Sequence, residues 1–120
     1  MSEKVFTIYH NPKCSKSRQA LSLLHDNGIE PKIINYVENP LNLAELQRLH
    51  SRLKVDANQL IRKQEALYRE QYASDIVLST DECLGLLETH PSLLQRPIVA
   101  VDDRAIIARP PEKVLELIAD

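Results

Sequence analysis

Hydrophobic and polar positions follow two different periods along this chain, and the changes of period mark its elements. Residues 5–9 have the composition of a short buried strand. Apolar positions then recur at helical spacing as far as residue 27, which predicts a helix that starts at Cys14 or Ser15. Gly28 predicts the end of this helix, because glycine accepts the positive φ of a helix C-terminus. A second strand is predicted over 32–36.

The middle of the chain is predicted to be helical throughout. Asn42 and Glu45 form a capping-box pattern ahead of leucines at helical spacing, and Ser79 with Glu82 repeats that pattern ahead of Leu84, Leu86 and Leu87. Four helices are predicted in this region. They cover 43–53, 57–61, 65–72 and the segment that follows Ser79, and Asp56 is the predicted cap of the second.

The last third of the chain returns to strands. Residues 98–101 and 105–108 flank the polar turn Asp102-Asp103-Arg104, which predicts a hairpin, and a final helix is predicted over 111–119. The order is therefore β-α-β, a helical insert, then β-β-α. A strand, a turn with Pro12 and a helix led by Cys14 resemble the opening of a thioredoxin-like domain. We therefore expect an α/β thioredoxin-like fold with a mixed sheet, in one domain over 1–120.

Composition excludes several classes of function. Fifteen Lys and Arg against seventeen Asp and Glu give a net charge of −2, so no nucleic-acid partner is expected. No apolar run reaches membrane-spanning length and no leader opens the chain, which predicts a cytoplasmic protein without a membrane partner. The four histidines lack metal-ligand spacing, so no metal and no bound cofactor are expected.

Cys14 is the main candidate for chemistry. At a strand-to-helix junction its sulfur lies beside the unpaired N–H groups of the first helical turn, and Lys13, Lys16 and Arg18 are adjacent in sequence. Both features favour the thiolate, which is the reactive form of cysteine. Ser17 stands where a Cys-x-x-Cys pair would have its second cysteine, so an external thiol must resolve any adduct that Cys14 forms.

Arginines and small polar residues are the candidates for binding an anion. Arg96 precedes the third strand, in the loop that folds beside the cysteine loop in a thioredoxin-like domain, and the planar fork of arginine suits oxyanions and carboxylates. Spacing alone does not distinguish Arg62, Arg96 and Arg109 from surface arginines. Ser15 and Ser17 either offer hydroxyls to an anion or cap the helix, and Asn11 either holds the loop or fills a turn.

Four segments of the chain together resemble the signature segments of the ArsC family, the glutaredoxin-linked arsenate reductases. In the family's order along the chain, these segments are the runs HNPKCSKSR at 10–18, LIRK at 60–63, RPIV at 96–99 and ARP at 108–110. The similarity covers nearly the whole chain and is closest to the shorter bacterial members.

That resemblance implies a specific reaction. Cys14 would attack arsenate and form a thiol–arsenate adduct, which Arg62, Arg96 and Arg109 would bind. Glutathione would then add as a co-substrate, glutaredoxin would take it as a mixed disulfide, and arsenite would leave. The resemblance also implies that His10 influences the ionisation of the thiol and that the bond before Pro97 is cis.

Two other functions remain open from the sequence. A thiol oxidoreductase could use glutathione on a different substrate, because anion-binding arginines also suit the carboxylates of glutathione. Regulators of the Spx type share the fold and bind RNA polymerase, but they commonly carry the Cys-x-x-Cys switch that Ser17 interrupts. Cys83, Tyr68 and Tyr72 have the helical spacing of packing residues.

Overall fold

The computed structural model describes residues 5–73 and 75–118 of the 120-residue chain. Within these residues, four strands and five α-helices follow one another in the predicted order. They are β1 (Phe6–His10), α1 (Ser15–Asp26), β2 (Lys32–Asn35), α2 (Leu43–Leu53), α3 (Ala66–Arg69), α4 (Thr80–Thr89), β3 (Ile98–Val101), β4 (Arg104–Ile107) and α5 (Val114–Ile118). In the part of the chain just given, no helix is long and apolar enough to cross a membrane.

The strands form one mixed sheet in the order β2-β1-β3-β4. β1 pairs in parallel with β2, with Ile8 opposite Ile33, and antiparallel with β3, with Ile8 opposite Val99. β3 and β4 form the expected antiparallel hairpin. The α/β class with a mixed thioredoxin-like sheet is therefore confirmed, including the parallel first pair and the antiparallel last pair.

One compact unit combines residues 5–39 with residues 96–118. Its core lies between alternate positions of the two central strands and the apolar sides of α1 and α5. The buried residues of this core are Phe6, Ile8, Ala20, Leu24, Val99, Val101, Ala108, Val114 and Leu117. Ile8, at the middle of β1, is fully buried in this core. Its close packing anchors β1, and with it the start of the loop that follows the strand.

Pro40–Gln95 form a second compact unit, the helical insert. Both predicted capping boxes are present: Asn42 with Glu45 begins α2, and Ser79 with Glu82 begins α4. The N–H of Leu43 also donates to the Glu88 carboxylate at 2.7 Å, which ties the start of α2 to α4. Leu46, Leu49, Leu84 and Leu87 supply buried positions on these two helices.

Several predicted boundaries differ from the structure for local reasons. β2 ends at Asn35 because its side-chain oxygen accepts the N–H groups of Val37 and Glu38, which starts a turn. β4 begins one residue early, at Arg104, because Asp102 adopts a φ of 54° and closes the hairpin in two residues.

The helical predictions contain the remaining differences. The helix predicted over 65–72 is shorter, since α3 covers only Ala66–Arg69 before a turn. The segment capped by Asp56 is a 3₁₀ turn, Ala57–Leu60. The final helix begins with a second such turn, Pro111–Lys113, and its predicted end at 119 lies outside the described residues.

Candidate active site

Cys14 occupies the N-cap position of α1, at the end of a short loop that follows β1. The loop is closed by two bonds to Asn11: its carbonyl accepts the N–H of Cys14 at 3.0 Å, and its side-chain oxygen accepts the N–H of Lys13 at 3.0 Å. Arg18 adds a third bond, from Nη1 to the carbonyl of Pro12 at 2.7 Å. Asn11 therefore holds the loop by an Asx-type turn, one of its two predicted roles.

The surroundings of the Cys14 sulfur favour the thiolate. Partial burial raises the pKa of the thiol, but the backbone N–H of Ser17, the Arg96 side chain and the N–H of Lys16 together outweigh burial, so the net effect lowers the pKa. Both N–H groups belong to the first turn of α1, whose unpaired N–H groups stabilise a negative charge on the sulfur. The first turn of α1 and one arginine thus activate the thiol together.

Beneath the loop lies a buried pair, His10 and Ser17. His10 Nδ1 lies 2.6 Å from the Ser17 hydroxyl, which also accepts the N–H of Asn11 at 3.1 Å. Ser17 is fully buried, so its hydroxyl is committed to the loop rather than capping the helix or facing an anion. Burial, and secondly the charge of Arg18, lower the pKa of His10 and favour its neutral form. Ser15, by contrast, is exposed as the first residue of α1.

Arg96 lies immediately before Pro97 and β3, and its guanidinium contacts the Cys14 sulfur. Burial lowers the pKa of this guanidinium, but the contacts with Cys14 and with the Tyr36 hydroxyl outweigh burial and raise it, so Arg96 is charged. The Arg96–Pro97 bond is cis, as the resemblance implied. The predicted approach of Arg96 to Cys14 is therefore present in the structure.

Arg109 follows β4 and belongs to the same compact unit as Cys14 and Arg96. Its Nη1 donates to the backbone carbonyl of Arg96 at 3.0 Å, while the residue as a whole is exposed. The Arg109–Pro110 bond is also cis, which the sequence analysis did not predict. Two of the three candidate arginines are thus linked directly to each other, and one of them to the cysteine.

Arg62 belongs to the helical insert. Its backbone N–H donates to the carbonyl of Leu93 at 2.7 Å, and the preceding residue Ile61 forms a β-bridge with Leu94. The guanidinium makes an ion pair with Glu65, three residues on. The backbone at Arg62 is therefore fixed within its own unit, and its side chain has a carboxylate partner.

Sequence reasoning missed two of these contact residues, Tyr36 and Glu65. Tyr36 is buried just beyond the end of β2. The parallel pairing of β1 and β2 could have indicated that Tyr36 lies near Cys14. The carboxyl ends of parallel strands meet at one edge of a sheet, and the end of β1 leads to Cys14. Glu65 lay within a predicted helix, where its proximity to Arg62 could have been noticed from the i,i+3 spacing.

The residues predicted to be structural have that role here. Cys83 is fully buried in α4, and burial raises the pKa of its thiol. The rings of Tyr68 and Tyr72 pack with centroids 4.9 Å apart. Within residues 5–73 and 75–118 no cluster of His, Cys, Asp and Glu has the arrangement of a metal site.

Comparisons with known proteins agree on one family. The family model of the ArsC family matches residues 9–117. The chain is 43% identical to the uncharacterized protein YfgD of Escherichia coli, over 96% of this chain and 98% of the relative. It is 41% identical to the arsenate reductase of Haemophilus influenzae, over 92% of this chain and 97% of that relative. A solved arsenate reductase from Vibrio cholerae superposes with a TM-score of 0.89 at 42% identity, over 96% and 98% of the two chains. This chain therefore belongs to the ArsC family.

Proposed function

We propose that this protein is an arsenate reductase that uses Cys14 as its nucleophile and takes its electrons from glutathione and glutaredoxin. The observation that carries the proposal is the position of Cys14 at the N-terminus of α1 and beside Arg96, which lowers the pKa of its thiol. A thiolate held against a guanidinium fits an attack on an anionic oxyanion centre. The names of the relatives from Haemophilus influenzae and Vibrio cholerae support arsenate as that oxyanion.

The proposed reaction begins with the Cys14 thiolate. Its sulfur forms a bond to As(V) of bound arsenate, and one arsenate oxygen leaves as water. Arg96 and Arg109 neutralise the charge of the oxyanion, and Arg62 is the third arginine of the set by its match to the family segment at 60–63. Glutathione then adds to the arsenic, and the glutaredoxin thiolate takes this glutathione as a mixed disulfide, so that the two electrons released by these two thiols reduce As(V) to As(III). Water then displaces the Cys14 sulfur from As(III), which releases arsenite and returns the Cys14 thiol.

An external thiol supplies these electrons in this proposal. Ser17 replaces a local second cysteine and its hydroxyl is bonded to His10 and Asn11. Cys83 is fully buried, and burial raises the pKa of its thiol, so it is a poor nucleophile in the native protein. Glutathione and glutaredoxin, abundant in a reducing cytoplasm, are the thiol donors that we expect.

A coupled assay tests this proposal directly. Oxidation of NADPH is followed with glutathione, glutathione reductase and glutaredoxin, with and without arsenate. We expect arsenate-dependent turnover that needs glutaredoxin, that is lost in Cys14→Ser because a serine hydroxyl is a far weaker nucleophile, and that is largely retained in Cys83→Ser. A reactive Cys14 that turns over other glutathione-linked substrates but not arsenate would instead favour the glutathione-dependent oxidoreductase.

A further inference from the structure

Arg62 carries a carboxylate partner that the proposed reaction does not use. Its Nη1 contacts Oε1 of Glu65, and the side chains are 22% and 41% exposed. The backbone holds both residues in this arrangement: the N–H of Glu65 donates to the carbonyl of Arg62 at 3.1 Å, and the N–H of Arg62 donates to Leu93 at 2.7 Å. A turn of the backbone therefore brings the two residues together, and their side chains meet there as an i,i+3 pair.

Glu65 is itself fixed on its other side. As the N-cap residue of α3, its carbonyl accepts the N–H groups of Tyr68 and Arg69, both at 3.1 Å. The neighbouring cation Lys63 is already engaged, since its Nζ donates to the Asn58 side chain at 2.9 Å and lies 5.7 Å from the centre of the Tyr68 ring. The backbone of Glu65 is therefore held on both sides, Lys63 has other partners, and the Glu65 carboxylate reaches Arg62.

A carboxylate and an oxyanion bind a guanidinium through the same N–H groups. An anion that binds Arg62 must therefore share or displace Glu65, and the negative charge of Glu65 also opposes an incoming dianion. We propose that Glu65 is an internal competitor that sets the oxyanion affinity of Arg62, so that Arg62 exchanges Glu65 for the substrate. This inference rests on the proposed function, because that proposal makes Arg62 a binder of the oxyanion.

The test measures binding separately from turnover. Arsenate is titrated by calorimetry into Cys14→Ser protein, which cannot form the adduct, with and without Glu65→Gln. We expect Glu65→Gln to tighten arsenate binding several-fold and, with Cys14 intact, to lower the KM for arsenate with a smaller change in kcat. Glu70→Gln is the matched control, because it removes the same charge from an exposed position just beyond α3 and is expected to leave affinity nearly unchanged.

A double-mutant cycle establishes whether Glu65 acts through Arg62. In an Arg62→Gln background, Glu65→Gln is expected to have no further effect on arsenate affinity. Three results would overturn the inference. Glu65→Gln could bind arsenate no more tightly than the parent, it could raise arsenate affinity equally in the Arg62→Gln background, or no variant could bind arsenate. Arsenate binding that responds to Glu65 as expected, without arsenate turnover by the unmodified protein, would support this inference and reject the proposed function.

Discussion

At the scale of single residues, the reactivity of Cys14 is assembled from separate parts of the sequence. The N–H groups of Lys16 and Ser17 come from the helix that the cysteine begins, and they would act on any thiolate at this position. The guanidinium of Arg96 comes from a residue that lies 82 positions after Cys14 in the sequence. Arg96 is therefore the part of this environment that substitution can remove without altering α1.

Removing the charge of Arg96 should raise the pKa of Cys14. Arg96 lowers the pKa by stabilising the thiolate, so Arg96→Gln shifts the titration to higher pH and reduces the thiolate fraction at pH 7. We expect alkylation of Cys14 by iodoacetamide at pH 7 to slow several-fold and its pH midpoint to rise. Arg96→Lys should retain much of the lowered pKa but lose most arsenate turnover, because a lysine ammonium lacks the two-point fork.

Arg48→Gln provides the comparison for this experiment. Arg48 is exposed on α2 and is not among the groups that shift the pKa of Cys14, so its substitution makes the same change in net charge without removing one of those groups. If Arg48→Gln and Arg96→Gln moved the alkylation midpoint equally, net charge and not the contact with Arg96 would explain the pKa of Cys14.

At the scale of elements, the parts that were predicted correctly depend on nearby residues. Asn42 with Glu45 and Ser79 with Glu82 satisfy helix N–H groups within three positions, so the sequence itself contains both partners. β3 agrees with its prediction at both ends, because its apolar run lies between Pro97 and the turn that begins at Asp102.

The parts that were not predicted depend on distant partners or on weak preferences. Tyr36 contacts Arg96, which lies 60 positions later in the sequence, and no local sequence pattern predicts a contact over that separation. The ion pair of Arg62 is local, but the sequence does not reveal which partner a guanidinium takes when several charges are near. The second cis bond, before Pro110, was missed because an X-Pro bond is cis in only about 5% of cases in folded proteins.

Asn58 is an unpredicted residue that stabilises the helical insert. Its Nδ2 donates to Asp56 Oδ1 and to the carbonyl of Leu78, both at 2.8 Å, and its Oδ1 accepts the N–H of Leu78 at 3.0 Å. The same oxygen accepts Lys63 Nζ at 2.9 Å. One amide therefore ties the 3₁₀ turn after Asp56 to the segment that leads into α4.

Substitution of Asn58 should destabilise the protein while leaving the chemistry of Cys14 intact. Asn58→Ala removes the partners of both backbone groups of Leu78, and we expect a loss of about 2 kcal/mol in the free energy of unfolding. Gln59→Ala, at the exposed next position of the same turn, is expected to change stability by less than about 0.5 kcal/mol. Urea unfolding measures both; equal losses would remove the special role of Asn58.

At the scale of the whole molecule, the two cysteines are in opposite states. Cys14 is partly exposed, and its thiol pKa is lowered, whereas Cys83 is fully buried, and burial raises its thiol pKa. Each state follows from the unit that contains the residue: a helix N-terminus beside the sheet for Cys14, and the interior of the helical insert for Cys83. The molecule therefore offers one reactive thiol while it is folded, and a second only when the insert opens.

Oxidation by glutathione disulfide should accordingly modify Cys14 alone. We expect native protein to gain one glutathione per chain, located at Cys14 by peptide mapping, and Cys83 to be alkylated only in step with unfolding by guanidinium. Cys83→Ser should gain the same single glutathione, whereas Cys14→Ser should gain none until it is unfolded. A disulfide between Cys14 and Cys83 formed within folded chains would contradict this, because it requires the buried thiol of Cys83 to react without unfolding of the helical insert.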